Sequence, residues 1–243
     1  MNYHLEKKNS YIYNYNSVSY NLDVWGRSNT VLEKKITVPL EETDVHFIKD
    51  EYKNSNMRFL KQVHGTNGFL LPKKEMSNVF WGEADFAYTE TESLPVIVRT
   101  ADCIPILFWH PDFSLCGAIH AGWRGLHQNI LTVVIQKLKE KYEEKQIKKL
   151  CFFVGPFIAE NSYEVEKDTY SKFDSNFSKD SHKKNKKLLN LKKILINQFL
   201  EIKISKDSII WNDIDTFNSS EFFSHRCGHK ERNIFLIYIK NIK

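Results

Sequence analysis

Apolar and polar positions first change their period after residues 122–125. Before that point the apolar residues form short runs of β type. Val18 to Trp25 alternates loosely and predicts a half-exposed strand, while Tyr11 to Tyr15 is a shorter β-prone piece. Met57 to Val63 predicts a strand that delivers His64 to a loop stopped by Gly65. Leu94 to Arg99 is a continuous apolar run, the mark of a buried strand. A turn over Thr100 to Cys103 leads into Ile104 to Trp109 and then, past a Pro-Asp turn, into Leu115 to Ile119. Beyond Gly122-Trp123-Arg124-Gly125 the spacing lengthens. Leu126, Ile130, Val133, Val134 and Leu138 recur at helical intervals and predict a helix over about 126–143. Its first turn would direct free N–H groups back toward residues 120–125, a setting that suits an anion, with Arg124 adding a charged contact.

Further along, Leu150 to Val154 predicts a strand closed by Gly155-Pro156, and Tyr163-Glu164-Val165 opens a polar segment. Leu188 to Ile202 predicts a second amphipathic helix, Ser208 to Trp211 a short strand, and Asn233 to Ile239 a final strand. Phe222 to Gly228 is a polar-aromatic loop holding His225, Arg226 and Cys227, of which His225 and Cys227 read more simply as surface than as chemistry. With no repeat and no Pro/Gly/Ser linker, residues 1–243 predict a single domain of the α/β (mixed α+β) class.

Composition narrows the partners. Hydrophobic residues make up 42% and aromatics 14%, which favours a packed core over disorder. No apolar run approaches the roughly 20 residues of a membrane span, and the first thirty residues lack a signal-peptide core. A soluble, cytoplasmic protein with no membrane partner is expected. Thirty-five basic against thirty acidic side chains leaves a net charge of +5. Part of that excess lies in His182-Lys183-Lys184-Asn185-Lys186-Lys187, which has no interleaved aromatics and reads as a solvated loop, so no nucleic-acid partner is expected.

The four cysteines, Cys103, Cys116, Cys151 and Cys227, form no Cys-x-x-Cys pair. That excludes a zinc ribbon and a thioredoxin-type couple. Cys116 and Cys151 lie within apolar runs and read as buried small hydrophobes. Cys103 differs, standing between Asp102 and Ile104-Pro105 at the end of one strand-like run, as His120 stands at the end of another. His64, Cys103 and His120 are 39 and 17 residues apart, too far for a structural finger but suited to a site that tertiary folding assembles. Two imidazoles and a thiolate would leave a zinc ion one open tetrahedral position. The same atoms permit two other chemistries. Cys103 would serve as a nucleophile with His120 as base and Asp102 or His64 as orienter. A blue-copper centre would need a weak axial ligand, for which the internal methionines are Met57 and Met76. A deaminase of the Pro-Cys-x-x-Cys type is excluded, because the motif is absent.

Four segments occur in a telling order: Leu60-Lys61-Gln62-Val63-His64-Gly65, Thr100-Ala101-Asp102-Cys103-Ile104-Pro105, His120-Ala121-Gly122-Trp123-Arg124-Gly125, and Gly155-Pro156 followed by Tyr163-Glu164-Val165. Together they resemble the YfiH-like laccase-domain family, long called "polyphenol oxidase" and now regarded as purine nucleoside phosphorylases. The resemblance implies layered mixed β-sheets flanked by helices, a fold shared with cysteine-hydrolase-type deamidase toxins. It implies zinc on His64, Cys103 and His120, with copper the lesser expectation. It also implies phosphorolysis of adenosine, inosine and S-methyl-5'-thioadenosine, with adenosine deaminase activity at the same site. His64, Cys103, His120 and Arg124 then become catalytic residues, and Gln62, Asp102 and Arg226 substrate-binding ones. Zinc with Arg124 and Arg226 would hold phosphate or hydroxide, and Asp85, Asp102 and Glu164 are candidate proton donors. The partners implied are a nucleoside and phosphate, in a monomer or homodimer. The chain departs from the family pattern in three places. No Arg-x-Gly-Gly-x-Ser precedes Leu60 (Asn21-Leu22 is the nearest echo), Ser162 stands where a Cys is common, and Lys230-Glu231-Arg232 replaces Thr-Gly-Arg.

Overall fold

A computed structural model describes residues 3–7, 10–15, 18–27, 59–72 and 80–240. In chain order the first strands are β1 (Tyr3–Lys7), β2 (Ser10–Tyr15), β3 (Val18–Trp25), β4 (Phe59–Lys61), β5 (Gly68–Leu70), β6 (Phe80–Glu83) and β7 (Phe86–Thr89). They are followed by β8 (Val96–Thr100), β9 (Ile104–Trp109), β10 (Cys116–Ala121), β11 (Cys151–Val154), β12 (Glu164–Val165), β13 (Ser178–Asp180), β14 (Lys187–Leu189), β15 (Ile209–Trp211) and β16 (Asn233–Lys240). The α-helices are α1 (Trp123–His127), α2 (Ile130–Lys139), α3 (Glu144–Ile147), α4 (Lys167–Tyr170) and α5 (Leu191–Glu201). Among the described residues no helix is long and apolar enough to cross a membrane.

Two sheets carry the architecture. One is five-stranded and antiparallel in the order β1-β2-β3-β16-β8, and the other six-stranded in the order β15-β11-β9-β10-β7-β5. The second is mixed, because β15 and β5 join its edges in parallel while the central pairs are antiparallel. All six residues of β9 are buried, and their side chains divide between two cores. Ile104, Ile106 and Phe108 pack with Ile130, Val134, Leu195 and Phe199 of α2 and α5. Leu107 and Trp109 pack with Tyr20, Leu22, Phe235 and Ile237 of the five-stranded sheet. A strand covered on both faces loses the alternation of a half-exposed one, which explains the unbroken apolar run. Each such large side chain contributes about 1.5–3 kcal/mol by leaving water. The predicted mixed α+β layering with flanking helices is what the chain adopts.

Several boundaries move. The strand predicted over Met57 to Val63 ends at Lys61, two residues early, and its first two residues, Met57 and Arg58, lie outside the described residues, as does Met76. The single helix predicted over 126–143 is broken. It begins earlier, at Trp123, and stops at His127, and α2 takes over at Ile130. Asn129 makes the break by adopting a left-handed conformation with φ of 54°, which asparagine tolerates better than most residues. The severed end is satisfied from α5, where Gln198 donates through Nε2 to the Leu126 carbonyl at 2.7 Å. Helical periodicity cannot register such a break, because Leu126 and Ile130 stay on the same buried face. The second predicted helix starts three residues late. Lys187–Leu189 is spent on β14, and Asn190 caps α5 by accepting from the Lys193 N–H at 2.8 Å. The lysine-rich run forms the turn between β13 and β14, with Lys183 against Glu164 at 3.1 Å and Lys186 against Glu166 at 2.7 Å.

Candidate metal centre and its cavity

His64 follows β4 in a loop whose backbone is left-handed at that residue, φ 61°. Three successive N–H groups of this loop converge on the carboxylate of Asp85, a fully buried residue between β6 and β7. Gly65 donates to Oδ2 at 2.6 Å, His64 to Oδ1 at 2.9 Å and Val63 to Oδ2 at 3.4 Å. His120 lies within β10, and its Nδ1 meets the same Oδ1 at 2.8 Å. An ionised carboxylate accepts only, so Nδ1 carries the proton and Nε2 is left as a donor atom toward the cavity. Cys103 lies in the turn from β8 to β9. The donor atoms of His64, Cys103 and His120 all fall within 4.8 Å of one another, and the two imidazoles meet edge to face with centroids 4.7 Å apart.

Gly122 closes the floor. A Cβ on this residue would lie 3.1 Å from Cys103 Sγ and 3.1 Å from His64 Cδ2. The chain therefore keeps its smallest residue where two donors crowd it. A soft thiolate with two imidazoles is a donor set for zinc or copper rather than for magnesium or calcium, so these residues fit the metal that the sequence implied. Electrostatics agree. Burial alone would raise the Cys103 thiol, but the His120 imidazolium and hydrogen bonds from both histidines outweigh it and bring the pKa down to about 6. Burial would likewise discharge His120, but the Cys103 thiolate and Asp85 hold its pKa up, to about 9. Cys116 has no such neighbour, and burial pushes its thiol well above the ordinary range.

Above this floor opens a cavity of about 470 Å³. Arg124, on α1, lies on its wall with its guanidinium 4.5 Å from the Trp123 ring centre. Among the described residues no carboxylate pairs with it. Arg226 enters from the 222–228 loop, donating through Nη1 to the Glu164 carbonyl at 2.6 Å and lying 5.2 Å from the Tyr163 ring centre. Gln62 lines the cavity with both ends of its amide engaged on the backbone of Arg99, each at 2.8 Å. Asp102 lines it as well, with Oδ1 accepting from Thr216 Oγ1 and Oδ2 from the Arg226 N–H, both at 2.7 Å.

These contacts correct several expectations. The orienter of His120 is Asp85, not Asp102 or His64. None of the three acids proposed as proton donors is free for that task. Asp85 and Asp102 accept on both oxygens, while Glu164 is held ionised by Ser181, Lys183 and Lys186. The anion-attracting helix start predicted beyond residue 125 is absent, because α1 incorporates Trp123, Arg124 and Gly125 themselves. His225, read as surface, is exposed but reaches the cavity mouth, and Cys227 is exposed with its thiol on the Phe217 carbonyl. Residues missed in the sequence are Tyr163, Arg99 and Arg232, which also line the cavity. Tyr163 and Arg232 stood in motifs already singled out, but nothing local to them shows which way they face.

Fold and site together define a mixed α+β protein with one His–Cys–His cluster able to hold a cation, among the described residues, under an arginine-bearing cavity. The chain belongs to the family described as multi-copper polyphenol oxidoreductase laccase, whose profile matches residues 42–240. It is 32% identical over 158 residues to a purine nucleoside phosphorylase of Rickettsia conorii, a match covering 65% of this chain and 60% of that protein. A purine nucleoside phosphorylase of Haemophilus influenzae is 32% identical over 176 residues, covering 69% of this chain and 68% of the relative. The chain thus spans about 60% of the length of the Rickettsia relative. Among solved structures, a Bacillus licheniformis hypothetical protein YfiH superposes with a TM-score of 0.79 at 20% identity, over 98% of this chain and 99% of that one. YlmD from Geobacillus stearothermophilus gives 0.78 at 19% identity, over 98% and 99%. At those identities the likeness speaks for the fold.

Proposed function

We propose that the chain is a zinc-dependent purine nucleoside phosphorylase acting on adenosine, inosine and S-methyl-5'-thioadenosine, with hydrolytic deamination of adenosine at the same site. The observation that carries this reading is the convergence of His64, Cys103 and His120 within 4.8 Å at the floor of a 470 Å³ cavity. The relatives named purine nucleoside phosphorylases give the reaction class. A cavity of this size suits a small polar organic ligand. A single three-donor cluster among the described residues suits one zinc ion with an open fourth position, rather than a centre of several copper ions. Bound there, zinc supplies Lewis acidity and lowers the pKa of a coordinated water.

The chain's own groups do the rest. Arg124 presents its guanidinium to an oxyanion, and Arg226 adds donors from the opposite loop, so both orient phosphate for in-line attack. In the phosphorolytic step a phosphate oxygen bonds to the ribose anomeric carbon as the bond from that carbon to the purine nitrogen breaks. The purine departs with the electron pair and takes up a proton from solvent water. Tyr163 serves as hydrogen-bond donor to the leaving base, because burial keeps its phenol protonated well above its ordinary pKa. Gln62 and Asp102 position their neighbours. Gln62 ties the His64 loop to β8, and Asp102 anchors Arg226. Incubation of zinc-loaded protein with adenosine and phosphate is expected to release adenine and ribose 1-phosphate; no product from protein holding one zinc per chain sinks the reading.

A second reading draws on one observation, the order Cys103–His120–Asp85, which is nucleophile, base and orienter in a metal-free hydrolase. It requires that the chelated protein turn over a substrate and be inactivated by alkylation of Cys103, while added zinc inhibits.

A further inference from the structure

We propose that Asp85 is the common positioning residue of both imidazoles, fixing His64 and His120 for the metal before any metal arrives. The inference rests on the zinc reading above and adds to it a residue that touches neither metal nor substrate. A carboxylate with no exposed surface must be compensated by donors. The four donors it has, Val63 N–H, His64 N–H, Gly65 N–H and His120 Nδ1–H, all belong to the two segments that carry the histidines. Among the described residues no lysine or arginine shares them. Oδ1 is the pivot, since it accepts from the His64 backbone at 2.9 Å and from the His120 ring at 2.8 Å. One atom therefore sets the frame of one ligand and the tautomer of the other.

The backbone supports the same conclusion. His64 occupies a left-handed conformation at φ 61°, which costs roughly 1 kcal/mol for a residue other than glycine and persists only where surroundings over-determine it. Three consecutive N–H groups on one carboxylate supply that determination. Asp85 is itself immobilised, because its N–H donates to the Asn67 carbonyl at 2.9 Å and its carbonyl accepts from the His120 N–H at 2.7 Å. The neighbouring carboxylate shows the contrast. Glu83 is exposed and pairs with Lys61 at the surface.

The test titrates the chelator-stripped full chain with cobalt(II), read by its visible ligand-field and thiolate charge-transfer bands, with zinc competition for affinity. The wild-type chain is expected to bind one ion. Asp85→Asn is expected to bind about 10- to 100-fold more weakly, with shifted ligand-field bands. An Asp85→Asn chain that binds within twofold of wild type with superimposable bands overturns the proposal while leaving the zinc reading intact. A wild-type chain that binds neither cobalt nor zinc overturns both. Should the variant not fold, nitrogen-15 histidine spectra of the wild-type chain decide. His120 is expected to carry a slowly exchanging proton on Nδ1 in both the stripped and the zinc-loaded protein. A ring without a proton on Nδ1 in the stripped form, or metal on Nδ1 in the loaded one, overturns it.

Discussion

The floor of the cavity and its arginine wall are built on different terms. On the floor, His64, Cys103 and His120 are set by a buried carboxylate, by the left-handed backbone at His64 itself and by a glycine where a methyl group would press on two of them. On the wall, Arg226 is pinned by its backbone to Asp102 but its guanidinium rests on one carbonyl and the face of Tyr163, and Arg124 lies against Trp123 with no carboxylate partner among the described residues. The difference separates two tasks. Metal donors must be placed to within a fraction of an ångström before the ion binds. A group that grips an arriving anion gains from a flexible stem and a charge that does not need to be prepaid in position. Mutations on the floor should therefore alter metal content first, and mutations on the wall should alter substrate affinity while leaving metal content alone.

The largest effect is expected from removing a donor. His120→Ala or Cys103→Ser should reduce bound zinc from one per chain to near none by elemental analysis. Phosphorolysis should fall by about 10³-fold or more, since a Lewis acid contributes several kcal/mol to such a transition state. A variant that keeps its zinc and its turnover would place the metal elsewhere. Next in size is Gly122→Ala. Gly122 has φ −78° and ψ 172°, which any residue adopts, so the cost is contact rather than backbone strain. A Cβ 3.1 Å from both Cys103 Sγ and His64 Cδ2 is overpacked, typically by about 1–3 kcal/mol. Because the atoms that must yield are metal donors, the loss should appear in cobalt affinity, roughly 10-fold or more, with the melting temperature of the stripped protein changing little. Equal affinity for both chains would show that the floor yields like the wall.

How much of this was legible in the sequence follows the same division. The donors were readable because Cys103, His120 and His64 each sit where an apolar run stops, and strand ends are where tertiary folding gathers side chains. The central strands were readable for a related reason: β9 is buried on both faces and prints as a continuous apolar run. The sequence offers Asp85 as a candidate proton donor rather than as an orienter, since nothing in Glu83-Ala84-Asp85 shows that one acid goes to the surface and the other beneath two histidines. That outcome depends on the crossing of three segments far apart in the chain. Asn129 was invisible because the helical face runs unbroken across it. The role of Asp102 was misread for the opposite reason, adjacency to Cys103. Its left-handed backbone, φ 86°, turns the carboxylate toward Thr216 and Arg226 instead of toward the thiol's base.

On the wall, Arg124→Ala should raise the KM for phosphate by roughly 10-fold, the scale of a lost charge-assisted contact of about 1.5–3 kcal/mol partly offset by solvent. Zinc content and cobalt spectrum should remain those of the parent. Arg226→Ala should cost less, because the substitution retains the backbone N–H that holds Asp102 and removes only the side chain. A loss of zinc in either variant would erase the distinction between floor and wall.

The smallest effect, and the one that needs no substrate, concerns the metal-stripped floor. The Cys103 thiol is lowered to about 6 despite its burial, chiefly by the His120 imidazolium. Its thiolate, the form that alkylates, should therefore predominate above about pH 6 and disappear as pH falls through that value, whereas an ordinary thiol becomes reactive only toward pH 8.5. In a Cys227→Ser background, which removes the exposed thiol, iodoacetamide uptake by the stripped protein should follow a single titration centred near pH 6. Cys116 should not contribute, since burial drives its pKa far upward. One equivalent of zinc should protect the remaining reactive thiol across the whole range, because the lone pair that attacks carbon is then committed to the metal. A midpoint near 8.5, or labelling unchanged by zinc, would mean that Cys103 does not face His120 in solution, and the floor would have to be described as loosely as the wall.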